Sequence, residues 1–136
     1  MHSQPHLVVS VRDARRLEAL LASEAGAASP VAAALEAELL RAELREPAEI
    51  PADVVTMNSQ LLCVDEASGA ERVLRLVYPA EADASKGQVS VLAPVGAALL
   101  GLSAGQSIEW PLPNGRSTRL RVLRVLDQPE AGGRAD

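Results

Sequence analysis

The chain has 136 residues, 48% of them hydrophobic, and a formal net charge of −5 at pH 7. This length suits one domain or a domain with an appendage, and the negative charge gives no electrostatic reason to expect direct sequence-specific binding to nucleic acid. One cysteine, Cys63, excludes an internal disulfide, and no apolar run reaches the ~20 residues of a membrane span. We therefore expect a cytoplasmic protein with no membrane contact. Phenylalanine is absent, so the core must be built from Leu, Val, Ile and Ala.

The first third of the chain predicts two helices joined by a short loop. After the extended segment LVVSV, Asp13 is expected to cap a helix that begins at Ala14. A second helix is expected to extend from Pro30 to Arg45. Ser29 would be its N-cap and Pro30 its first residue. Apolar residues recur at three- or four-residue spacing in both helices: Leu17, Leu20 and Leu21, then Val31, Leu35, Leu39 and Ala42. The pattern predicts an antiparallel helical hairpin.

Pro47 and Pro51 separate the helical pattern from a strand-like pattern, so residues 1–48 and 49–136 are predicted to form separate parts. In the second part, the runs NSQLLCVD and ERVLRLVYP predict a β-hairpin around ASGA, QVSVLA predicts a short strand, and PVGAALLGL predicts a brief helix. A second hairpin is expected around Asn114-Gly115, a pair that suits a type I′ turn. In the last strand the apolar residues change face, which predicts a strand buried on both sides or a bulge near Val122.

The motifs that resemble catalytic or metal-binding sites lack the neighbouring elements or further ligands that such sites need. GLSAG, at residues 101–105, matches G-x-S-x-G, but a nucleophile elbow needs a strand before the serine and a helix after it, and the predicted order is the reverse. His2 and His6 lie in a tail without the further ligands of a metal site. No glycine-rich phosphate motif is present. We expect no catalytic residue, no metal and no cofactor, and hence no enzyme.

Two surfaces are candidates for contact with a partner. The arginines of RSTRLRVLRVL alternate with apolar residues, which is typical of a solvated sheet face but would also suit contact with an acidic partner or with phosphates. The segment SVLAPVG is apolar and stiffened by proline, and the residue before a proline is held out of the α region. These small residues either pack inward or present a pre-ordered docking surface. The candidate partner-binding residues are Leu92, Ala93, Pro94, Val95 and Gly96, together with Glu24 in the loop between the helices.

The segment from Gln88 to Glu130 resembles the C-terminal domain of the bacterial Gre transcript-cleavage factors, with a strand, an Ala-Pro corner, an ALLG helix and a hairpin. The chain is more similar still to the Rnk family, the regulators of nucleoside diphosphate kinase. That resemblance is carried by IPADVVTMNSQL (residues 50–61), VYPAEAD (77–83) and APVGAALLGL (93–102). With the helical hairpin, it covers nearly the whole chain.

The resemblance implies an α+β fold, in which an FKBP-like domain with one short helix follows a short antiparallel coiled coil. It also implies binding to RNA polymerase at the rim of the secondary channel, with the C-terminal domain docking and the hairpin pointing inward. We expect a monomer. Nucleoside diphosphate kinase activity is not implied, because the chain has no phosphate cradle. Prolyl isomerisation is not expected either, since Tyr78 and Trp110 are the only large aromatic residues that could line such a pocket.

In the Gre factors, two carboxylates at the hairpin tip help hold a Mg²⁺ ion that activates water. The loop LLASEAGAASP offers Glu24 alone, and the predicted helices extend only about 15 and 24 Å at ~1.5 Å per residue. Our leading hypothesis is a non-catalytic regulator that competes with Gre-type factors without stimulating transcript cleavage. The alternatives are an interaction domain with a partner other than polymerase and an active cleavage factor.

Overall fold

The computed structural model describes residues 6–111 and 115–131. It is a mixed α+β structure with a two-stranded and a five-stranded sheet. In chain order, the strands and α-helices are β1 (Val8–Ser10), α1 (Val11–Leu21), α2 (Glu24–Ala28), α3 (Ala32–Arg41), β2 (Glu43–Arg45), β3 (Gln60–Asp65), β4 (Glu71–Val77), β5 (Gln88–Ser90), α4 (Pro94–Leu99), β6 (Ser107–Pro111) and β7 (Ser117–Asp127). None of the described helices is long and apolar enough to cross a membrane.

Helix α1 begins three residues earlier than the sequence predicts. Its N-cap is Ser10, whose side-chain oxygen accepts a hydrogen bond from the backbone N–H of Asp13 at 3.0 Å. Asp13 therefore lies in the first turn of the helix and is not the cap. A carboxylate in that position still interacts favourably with the positive end of the helix dipole.

The predicted second helix was wrong at both ends. Helix α3 begins at Ala32, and Ser29 accepts a hydrogen bond from Val31 N–H at 3.2 Å instead of capping a helix that starts at Pro30. At the other end, residues 43–45 form strand β2, which pairs in parallel with β1. The N–H of Glu43 donates to the carbonyl of Leu7 at 2.8 Å, so a contact between distant segments overrides the helical pattern.

The five-stranded sheet has the order β5-β4-β3-β7-β6, with β4 and β5 parallel and the other pairs antiparallel. The predicted hairpin around ASGA is confirmed, and Gly69 in its turn has a φ of +76°. The predicted turn residue Asn114 lies outside the described residues. Leu123 and Leu126 have no partner in the register between β3 and β7, so the bulge predicted near Val122 is confirmed and a second one follows it.

One hydrophobic cluster connects the helices to the inner face of this sheet. It joins Leu17 and Leu35, from α1 and α3, to Leu61 and Val122 of the sheet, and all four are fully buried. Burial of each such side chain stabilises the fold by roughly 1.5–3 kcal/mol. Cys63 belongs to the cluster, as predicted, and burial raises the pKa of its thiol. The division of the chain at residue 48 remains a prediction, and this core is continuous across it.

Candidate docking surface

The segment from Leu92 to Gly96, here called the corner, connects β5 to α4. Ala93 is the N-cap of α4 and has extended dihedral angles, φ −80° and ψ 150°, which confirms the backbone conformation predicted from the following proline. Pro94 occupies the first helical position, where its missing N–H is not needed. Ser90 fixes the start of the corner, because its Oγ accepts a hydrogen bond from Leu92 N–H at 3.0 Å.

Much of the corner packs against the protein itself. Gly96 is buried, and a Cβ added to it would lie 2.0 Å from the carbonyl oxygen of Ser90, so any side chain here would force α4 away from β5. Leu92 and Val95 are half-buried against the core, and Ala93 and Pro94 are also half-buried. Gly96 therefore packs inward. The binding of a partner by the corner, from Leu92 to Gly96, stays a prediction.

The corner also touches the N-terminal helices. The hydroxyl of Ser29, in the loop between α2 and α3, donates to the carbonyl oxygen of Leu92 at 3.4 Å. The sequence assigned Ser29 only to helix capping, and no local pattern could indicate this contact across 63 positions. This hydrogen bond is a direct contact between the corner and the helical part.

The predicted blunt turn contains a short helix. Ser23 caps α2 by accepting from Gly26 N–H at 3.4 Å, and it donates to the carbonyl of Leu20 at 2.5 Å. Gly26 is buried against the end of α1, where an added Cβ would lie 2.5 Å from the carbonyl oxygens of Leu20 and Leu21. Glu24 is exposed in the first turn of α2 and is the one acidic residue between positions 19 and 35.

The other candidate residues do not form a catalytic arrangement. Helix α4 precedes Ser103 and strand β6 follows it, which is the predicted order and the reverse of a nucleophile elbow. His6 is exposed, and its Nε2 lies 2.8 Å from Oε1 of Glu43, whereas His2 lies outside the described residues. Within residues 6–111 and 115–131, no three His, Cys, Asp or Glu side chains are grouped so as to hold a metal ion.

The arginines of β7 lie on the exposed side of the sheet. Arg119 and Arg121 approach Oε1 of Glu66 with their Nε atoms, at 4.0 and 3.5 Å. A hydrogen bond from Ser107, followed by the charges of these two arginines, lowers the pKa of Glu66 below its ordinary value. The solvated-face interpretation therefore describes these residues, and their charge is partly balanced within the chain.

Sequence reasoning missed a buried polar network in the segment DVVTMNS. Ser59 Oγ accepts from Thr56 N–H at 2.9 Å, and the Thr56 hydroxyl donates to Oε1 of Glu130 at 2.7 Å. Between them, Asn58 has a φ of +66°, a conformation that asparagine tolerates better than most residues. Gln128 Nε2 donates to the carbonyl of Val54 at 2.8 Å. The Thr-x-x-Ser spacing was the available signal, but its partners lie more than 70 positions away.

The sheet and α4 define the class of protein to which the chain belongs. Residues 50–127 match the family model described as transcription elongation factor GreA/GreB, C-terminal. Residues 5–44 match the model described as the Rnk N-terminus. The chain belongs to the Rnk family, as the sequence motifs indicated.

Similar proteins agree with this assignment. The regulator of nucleoside diphosphate kinase of Escherichia coli K12 is 50% identical over 131 residues, which cover 96% of each chain. Transcription elongation factor GreA of Azorhizobium caulinodans is 37% identical over 83 residues, or 61% of this chain and 53% of that protein. A solved structure, the prokaryotic transcription elongation factor GreA/GreB from Nitrosomonas europaea, is 48% identical, covers 90% of this chain and 98% of its own, and has a TM-score of 0.71.

Proposed function

We propose that this protein is a non-catalytic regulator of transcription that binds RNA polymerase at the rim of the secondary channel. It would compete there with Gre-type factors without stimulating transcript cleavage. In this proposal the protein is monomeric and cytoplasmic. An FKBP-like domain docks on polymerase through the corner, and a short coiled coil points into the secondary channel. The observation that carries it is a contrast within one chain. Residues 50–127 match a transcription elongation factor domain, whereas the preceding helices are short and carry a lone acid at their connection.

The short helices favour a protein that obstructs the secondary channel over one that stimulates transcript cleavage. Helix α1 has 11 residues and α3 has 10, which correspond to about 16 and 15 Å at ~1.5 Å per residue. The second value is well below the ~24 Å expected from the sequence, because α3 begins at Ala32 and ends at Arg41, whereas the sequence predicts a helix over residues 30–45. Helix α2 folds back on the end of α1 through Gly26, which makes the end of this part compact.

The chemistry of the tip supports the same interpretation. A Mg²⁺ ion bound to protein takes one or two carboxylates in strict geometry and keeps several waters. Glu24 offers one carboxylate, and the rest of α2 is alanine and glycine. A cleavage factor of the Gre type would need a second acid beside it.

Competition on stalled elongation complexes tests the proposal. We expect increasing amounts of the protein to reduce cleavage of backtracked RNA by an added Gre factor, and the protein to co-migrate with core RNA polymerase on a native gel. Unchanged Gre-driven cleavage at saturating protein would contradict binding at the channel rim. Absence of co-migration would favour the alternative, an interaction domain with a partner other than polymerase.

A further inference from the structure

Helices α1 and α3 and strand β2 enclose an open groove of about 320 Å³ on the N-terminal part of the protein. Its apolar lining includes Ala14 and Leu21 from α1, Leu39 and Leu40 from α3, and Leu44 from β2. Ala14 is buried at the base, and Leu21 and Leu39 are partly buried against the core. The floor of the groove is therefore continuous with the hydrophobic core.

Two leucines at the groove are exposed to an unusual extent. Leu40 has 84% and Leu44 51% of its surface accessible, and Leu40 is the most exposed large hydrophobic residue that the structure describes. A single exposed leucine on a protein surface needs no explanation. Two that border the same concave apolar surface are typical of an interaction site. Because at least half of the surface of each leucine is accessible, each stabilises the fold by less than a buried leucine would.

The charges at the groove favour one kind of occupant. The charged residues that line it are Glu18 of α1 and Glu36 of α3, both exposed. Glu38, on the same helix, is buried and hydrogen-bonded by Arg41 at 2.6 Å, so it adds little to the field outside. An apolar floor with carboxylates at its edge complements an amphipathic segment with basic flanks.

The shape of the groove favours a helix as that segment. Grooves between helices bind amphipathic helices through apolar residues at i, i+3, i+4 and i+7. With about three turns in each of α1 and α3, the surface is long enough for a partner helix of similar length. A second copy of the same groove would instead place Glu18 and Glu36 against like charges, in chains that each carry a net charge of −5.

We propose that this groove binds a basic amphipathic helix of a partner protein. The inference does not depend on the function proposed above, because the groove involves neither the corner nor Glu24. Leu40 and Leu44 would supply the apolar contacts, and Glu18 and Glu36 would pair with lysine or arginine on either side of the apolar stripe of the helix.

A designed peptide provides the probe. A helical peptide of about 15 residues, with leucine at i, i+3, i+4 and i+7 and lysine elsewhere, is titrated against the full chain and followed by fluorescence anisotropy. The matched peptide has glutamate in place of lysine. We expect the lysine peptide to bind at least about tenfold more tightly than the glutamate peptide. Equal binding of the two peptides would overturn the charge argument.

Substitutions locate the binding surface. Leu40→Ser should raise the Kd for the lysine peptide at least about fivefold, whereas Leu126→Ser, at an exposed leucine of the sheet, should leave it unchanged. Glu18→Gln with Glu36→Gln should weaken binding and reduce its salt dependence, and Glu71→Gln with Glu109→Gln is the control at exposed acids elsewhere. Because Leu40 is exposed, its substitution should not change the melting temperature.

Besides equal binding of the two peptides, two results would overturn the proposal. One is binding of the lysine peptide to Leu40→Ser with the affinity of the wild-type protein, which would place the contact elsewhere. The other is a dimer of the wild-type chain, measured by light scattering, that Leu40→Ser dissociates, since the occupant of the groove would then be a second copy. If the wild-type protein binds the lysine peptide as expected but does not bind polymerase, the proposed function is contradicted and this inference is not.

Discussion

The carboxylate of Asp13, in the first turn of α1, accepts a hydrogen bond from the backbone N–H of Met57 at 3.1 Å across 44 positions of sequence. Its other oxygen accepts from Arg16 at 2.7 Å, and its own N–H donates to Ser10. The side chain is only 1% exposed. One buried carboxylate therefore connects the N-terminal helices to the segment that leads into β3.

We predict that Asp13→Ala lowers the free energy of unfolding by about 3 kcal/mol, because it leaves the buried Met57 N–H without its acceptor and removes one of the interactions of Arg16. Urea denaturation followed by circular dichroism measures this change. Asp53→Ala, at an exposed acid, should change it by less than about 0.5 kcal/mol. Equal effects of the two substitutions would show that the Asp13 contact adds nothing.

The sequence predicted most of the sheet and missed the ends of the helices, for reasons that particular residues make clear. The strands around ASGA alternate in hydrophobicity and are bounded by turn residues, so their local pattern suffices. Residues 43–45 continue a helical pattern, and only their pairing with Val8 to Ser10 makes them a strand. Helix α2 did have a local signal, the capping residue Ser23 before an alanine-rich run.

The sequence predicted the backbone conformation of the corner but not the contacts that the corner makes with the rest of the protein. Pro94 fixes Ala93 in an extended conformation by local sterics, so the corner was predictable. The close approach of Gly96 to Ser90, and the hydrogen bond from Ser29 to Leu92, depend on segments that meet only in the folded chain. Neither periodicity nor motif spacing carries that information.

The pKa of Glu66 predicts a dependence of stability on pH. Hydrogen bonding by Ser107 and the nearby Arg121 and Arg119 lower the folded-state pKa below the unfolded value. The contribution is therefore complete above the unfolded pKa, about 4.3, and is lost as the pH falls through the folded pKa. Glu66→Gln should lower the urea midpoint at pH 7, and this difference from the wild-type protein should shrink below pH ~4. A difference that stays constant down to pH ~3 would contradict the assignment.

The lone acid at the end of the helical part predicts the absence of a cleavage activity. The purified protein should not accelerate cleavage of backtracked RNA above the rate of polymerase alone, because Glu24 cannot complete a Mg²⁺ site by itself. Glu24→Ala should therefore behave like the wild-type protein in this assay, with an added Gre factor as the positive control. Stimulated cleavage that is lost in Glu24→Ala would establish the active-factor alternative.

The last prediction concerns the corner as a docking surface. A carboxylate placed at the centre of an interface would be buried without a partner, so Val95→Asp should weaken binding to RNA polymerase at least tenfold, about 1.4 kcal/mol. Val95 is half-buried against the core and lines a small cavity with Cys63 and Leu120, so this substitution also threatens the fold. Thermal melting of the variant separates the two effects.

Ala93→Asp keeps the test decisive if Val95→Asp unfolds. Ala93 is the N-cap of α4, a position where aspartate is favoured, so this variant adds a charge to the corner while the helix is retained. We expect it to melt like the wild-type protein and to bind polymerase more weakly, in native-gel titrations with core enzyme. His6→Ala, at the exposed N-terminal segment, should bind unaltered. If Ala93→Asp is folded and binds like the wild-type protein, the corner is not the docking surface.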